Sequence, residues 1–105
     1  MNLQEKIRDL ALKLYALYLV AIPPDDEAVE KLITALDAQS IAALKLKLDE
    51  DTVAFKDALE ALDTAKTDAT NAITELEKMH QAIASSVKVV QILDQLLEAA
   101  RSLIK

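Results

Sequence analysis

The chain has 105 residues, 52% of them hydrophobic and only 3% aromatic, with eighteen acidic against twelve basic side chains for a formal charge of -6. That apolar content suffices for the core of a single domain, residues 1–105, and a core built from Leu, Ile, Val and Ala points to an all-α fold rather than a sheet. The charge opposes nucleic-acid binding; with no glycine or cysteine there is no phosphate-cradling glycine loop, no disulfide and no thiolate metal site, and every turn must form without the residue that most easily takes positive φ.

The first predicted helix covers about residues 2–22, where Leu3, Ile7, Leu10, Leu14, Leu17 and Ala21 recur at steps of three and four. From Leu10 onward nearly every face is apolar, so its second half is expected to be the most enclosed element, with Tyr15 and Tyr18 reaching a rim. The apolar run from Leu12 to Ile22 is about half of what spans a bilayer and carries Lys13, so it is no transmembrane segment. Nothing before Pro23 offers a cleavable signal, which leaves the cytoplasm as the default location of a chain whose compartment is otherwise unspecified.

Pro23 and Pro24 break that helix, and Asp25 or Asp26 can cap a second one over about residues 26–48. Its apolar face runs through Val29, Leu32, Ile33 and Leu36 to Ser40, whose hydroxyl is expected to bond back to a carbonyl one turn earlier. The alternating LKLKL segment ending at Leu48 reads as a fraying helix end, and Asp49 or Asp51 can cap the next helix.

From Phe55 onward a heptad holds: Phe55, Leu62, Ala69, Leu76, Ile83, Val90, Leu97 and Ile104 form one row, and Ala58, Ala65, Ala72, Met79, Ser86, Leu93 and Ala100 the other. Only Ser86 departs from apolar character, and leucine there would be expected to complete the row. A phase kept across Ser85 and Ser86 predicts one helix over about residues 51–104, on which the first two pack as an antiparallel helical bundle or coiled coil. The alternative is a compact four-helix bundle broken near Ser85 and Ser86. A continuous helix would be about 80 Å long, too long for the first two helices to cover, so the uncovered seam would have to meet another chain.

The narrow, alanine-rich part of the seam, Ala65, Ala69, Ala72, Leu76 and Met79, is the expected homo-oligomer interface. The expected core comprises Leu10, Leu14, Leu17, Val29, Leu36, Val90, Leu93 and Leu97.

No catalytic, cofactor or metal constellation emerges. His80 is the single histidine, and Glu77 matches a Glu-x-x-His spacing only once, on a side facing away from the seam. The leading expectation is therefore a non-enzymatic protein-interaction or assembly element without cofactors, whose partner is itself or another helical protein. The runner-up is a membrane-active or secreted helical protein using Leu10 to Ile22; weaker readings are a small acidic inhibitor and an engineered bundle.

Overall fold

A glycine-free chain must end its helices without a left-handed residue, and the first three helices here do so by running into extended backbone. A computed structural model describes residues 2–102, and among them none takes positive φ. Helix α1 (Leu3–Val20) ends at Ala21 with φ -78° and ψ 148°, and α2 (Asp25–Lys45) ends at Leu46 with φ -107° and ψ 142°. Helix α3 (Val53–Thr74) ends at Glu75 with φ -124° and ψ 91°. A single 3-10 turn (Leu76–Lys78) then leads into α4 (Met79–Ser102).

The helix starts are closed by short polar side chains. Asn2 accepts the Glu5 amide at 2.8 Å, and Thr52 accepts the Phe55 amide at 3.2 Å, satisfying donors with no partner inside their helices. Thr52, rather than the expected Asp49 or Asp51, caps α3; its hydroxyl also donates to the Asp49 carbonyl. At α2 no side chain caps the helix, since Pro24 occupies that place, and Asp25, Asp26 and Glu27 complement the helix dipole instead. Ser40 bonds back to the Asp37 carbonyl at 2.8 Å, as its place on the apolar face requires.

The break in the heptad helix lies at Glu75, neither absent nor at Ser85 and Ser86. The end of α3 is rich in residues that weaken a helix. Thr67, Thr70 and Thr74 each return a hydroxyl to a carbonyl three or four residues back, and Ile73 and Thr74 are β-branched. The Glu75 amide donates to the Asn71 carbonyl at 2.9 Å, so the helix end is satisfied without glycine. Across the turn, Glu75 pairs with Lys78 at 2.6 Å, and this hydrogen bond with its Coulomb attraction holds the lysine protonated above its ordinary range. Ser85 and Ser86 lie inside α4, where Ser85 donates to the Gln81 carbonyl.

The 3-10 turn also shifts the phase of the seam. In α3 the buried row is Phe55, Ala58, Leu62, Ala65, Ala69 and Ala72, as the heptad predicts. In α4 it becomes Met79, Ala82, Ser86, Val89, Leu93, Leu96 and Ala100, with Leu97 also buried. Met79 resumes the pattern ten residues after Ala69 instead of seven, and the surplus matches the three residues of the turn. Val90, expected in the core, is consequently only half-buried, and Val89 takes the inward place. The other expected core residues, Leu10, Leu14, Leu17, Val29, Leu36, Leu93 and Leu97, are buried.

Helices α1 and α2 form one antiparallel hairpin and α3 and α4 a second. The hairpins lie side by side with α1 against α3 and α2 against α4, while among the described residues the backbones of the diagonal pairs, α1 with α4 and α2 with α3, do not approach as closely. Polar links between the hairpins show that facing helices run parallel. Lys6 meets Asp63 and Asp9 meets Lys66 at a constant separation of 57 residues. On the other side, Asp25 meets His80 and Gln39 meets Asp94, both 55 residues apart. The molecule measures 44 × 20 × 19 Å with a radius of gyration of 13.6 Å, and one core runs through all four helices. The long uncovered helix, and with it the length argument for a second chain, does not hold.

Candidate functional site

Folding the heptad segment back on itself turns the expected oligomer seam into core. Ala65, Ala69, Ala72 and Met79 are buried within the chain, where the small alanine side chains let α3 approach its neighbours closely. Leu76 alone points outward, 56% exposed, because it sits in the 3-10 turn between the two phases. Four of the five seam residues are thus committed internally and cannot face a partner while the bundle is folded.

Polar chemistry is sparse. His80 approaches Asp25 at 3.2 Å, joining the starts of α4 and α2, but the imidazole is largely exposed and such a pair contributes little. Glu77 is exposed in the 3-10 turn. Among the described residues, no three His, Cys, Asp or Glu side chains converge in a way that could hold a metal ion. Gln39 is buried and donates to the Val90 carbonyl at 3.0 Å and to Asp94 at 2.8 Å, linking α2 to α4. The Ser86 hydroxyl is fully buried and has no hydrogen-bond partner among the described residues. The concavities are open surface grooves; the one between α3 and α4 is lined by Asp57, Glu60, Ala61, Thr64, Ser85, Lys88 and Ile92.

The distinctive surface lies on α1. Leu3, Ile7, Leu10, Ala11, Leu14 and Leu17 fill the core, as the periodicity requires. The opposite side carries a second apolar line: Leu12 is 70% exposed, Tyr15 56% and Leu19 69%, with Val20 and Ile22 also exposed at its end. Steps of three and four put Leu12, Tyr15 and Leu19 on one helical face. The expectation that this half of α1 would be enclosed on several sides is therefore corrected. In a square of four helices each member touches two neighbours and turns its outer side to water, and α1 keeps large apolar groups there.

The flanks of this line differ in charge. Arg8, one turn before Leu12, is exposed and among the described residues pairs with no carboxylate. Beyond Ile22 the chain enters the acidic first turn of α2, Asp25, Asp26 and Glu27. The sequence displayed every residue of this line, but all-round hydrophobicity did not reveal which side would be left uncovered. Among the described residues no helix is long and apolar enough to cross a membrane. Comparison with known proteins finds no matching family model, no matching curated protein and no matching solved structure.

Proposed function

We propose that the protein is a non-enzymatic helical interaction module that works by presenting the outer face of α1 to a protein partner. The observation that carries this reading is the exposed line Leu12, Tyr15 and Leu19 on α1, with Ile22 also exposed just past the helix end. An apolar face of this extent, concentrated on one helix, is the kind of surface that marks an interaction site; the exposed pair Ile41 and Leu44 on α2 is smaller, and single exposed hydrophobic residues elsewhere need no explanation. Recognition would follow the mode in which helix positions spaced three and four apart insert into a complementary apolar surface.

A bilayer is the competing occupant. The formal charge of -6 disfavours anionic lipid, and α1 also supplies six buried residues to the core, so inserting it would dismantle the bundle.

The test is photocrosslinking in cells that express the protein, with a benzophenone amino acid at position 19 and, as a control, at exposed Lys56 on α3. Protein adducts from position 19, absent from position 56 and lost on Leu12→Glu, are expected. Adducts to lipid alone, or none, would overturn the reading.

A further inference from the structure

We infer that the bundle parts along the junction between α2 and α4 while the junction between α1 and α3 stays closed, so that the two hairpins open like a book without unfolding. Each hairpin is closed at one end by a short turn, which leaves the two junctions between hairpins as the places where the fold can separate. The two differ in what holds them.

Helix α1 meets α3 through charge and bulk. Lys6 with Asp63 and Asp9 with Lys66 form two pairs of opposite sense one turn apart, and Leu62 shares the groove they line. The buried side chains of both helices are all apolar.

Helix α2 meets α4 through small and polar groups. On α2 the groove between them is lined by Ala35, Ala38 and Ala42 around Gln39, and on α4 by Val90 and Leu97. The buried polar side chains of the described residues, Gln39, Ser40 and Ser86, all belong to these two helices. Ser86 lies four residues before Val90 and eleven before Leu97, so helical spacing puts it on the row that lines the α2 side. Two atoms along this junction are buried without a hydrogen-bond partner among the described residues, Gln39 Oε1 and Ser86 Oγ.

These features set the relative cost of the two motions. Parting α2 from α4 uncovers alanines on one side, whose apolar area is small, and lets water reach two groups that the closed form leaves unsatisfied. The polar links it breaks are those of Gln39 to Val90 and Asp94 and the largely exposed pair of His80 with Asp25. Parting α1 from α3 would break both ion pairs and uncover leucine.

The connection between the hairpins permits the motion. Residues 46–52 carry the chain from α2 to α3 outside either helix, and such a segment extends to about 24 Å, more than the 20 Å width of the bundle.

The experiment labels buried thiols in the folded protein, which has no cysteine of its own. Ser86→Cys probes the α2–α4 junction. Ala69→Cys, seven residues after Leu62 on the same row of α3, probes the α1–α3 junction, and both positions are fully buried. Reaction with a water-soluble aromatic disulfide is followed at increasing urea and compared with each variant's own unfolding equilibrium.

So normalised, labelling at position 86 should be at least about tenfold faster than at position 69, and it should depend less steeply on urea because partial opening exposes less surface than unfolding. Adding Lys6→Glu should speed labelling at 69 about two- to fivefold and leave 86 unchanged, since the α1–α3 junction persists in the opened form.

Equal normalised rates with equal urea dependence, faster reaction at 69, or an equal gain at both positions from Lys6→Glu would each overturn the inference. If Ala69→Cys disturbs the alanine packing, the urea dependence at 86 decides alone: a slope as steep as that of unfolding overturns the inference, and a shallower one supports it.

Discussion

Lys6 Nζ lies 2.9 Å from Asp63 Oδ1, and one turn further along both helices the charges exchange places, with Asp9 receiving Lys66 at 3.5 Å. The motif KIRD on α1 is thus read against DTAK on α3, and only a parallel alignment in one register makes both pairs. These partly exposed contacts supply modest stability, and their main effect is to fix how the two hairpins lie side by side.

Lys6→Glu should therefore destabilise the protein by about 0.5 to 1 kcal/mol, and adding Asp63→Lys should recover most of that loss. Urea denaturation of the two single variants and the double variant measures the coupling. A double variant no more stable than the sum of the single losses predicts would separate the pair from register.

Burial at Ser86 argues against the expectation drawn from the heptad alone. An incomplete row suggests that leucine would stabilise, but the position is fully buried in α4 and among the described residues its hydroxyl has no hydrogen-bond partner. Ser86→Ala should gain about 1 kcal/mol by removing a buried unsatisfied group, whereas Ser86→Leu should lose about 1 to 3 kcal/mol through overpacking. Thermal or chemical unfolding of both variants decides; a stabilising leucine would mean that the seam has room the packing does not suggest.

Leu93 and Leu76 form the sharpest contrast along the heptad. Leu93 is fully buried, so Leu93→Ala should cost about 2 to 5 kcal/mol and Leu93→Glu should unfold the domain. Leu76→Glu, in the exposed turn, should change stability by no more than about 0.5 kcal/mol and leave the mass in solution unaltered. Circular dichroism with light scattering tests both, and a loss of helicity on Leu76→Glu as large as that on Leu93→Glu would place the turn residue in the core.

The helical class, the proline break and the inward faces of α1, α2 and α3 were legible because apolar residues recur with helical period and Pro23–Pro24 cannot be helical. The break at Glu75 was not, for a specific reason. Adjacent apolar pairs at Ala82–Ile83, Val89–Val90 and Leu96–Leu97 satisfy both the old phase and the shifted one, so the heptad continues unbroken on paper while the chain reverses. The clue in the sequence was the cluster of threonines with Asn71 and Ile73 just before Glu75, while Ser85 and Ser86 drew attention although isolated serines are tolerated inside a helix. The exposed apolar face stayed hidden because an α1 apolar on most sides does not reveal which side its neighbours leave open.

The heptad seam closes on itself between α3 and α4, which makes it core and leaves α1 as the outward apolar face. The most direct measurement of that closure is the distance between spin labels on cysteines introduced at Lys56 and Glu98, both exposed, in a chain with no other cysteine, diluted with unlabelled protein so that each label sees only its own chain. A hairpin brings these positions to the same end of a bundle 20 Å across, and a single distance below about 35 Å, allowing for label length, is expected. A distribution centred near 60 Å, roughly the separation along an unbroken helix, would contradict the fold and restore the seam as a surface for another chain.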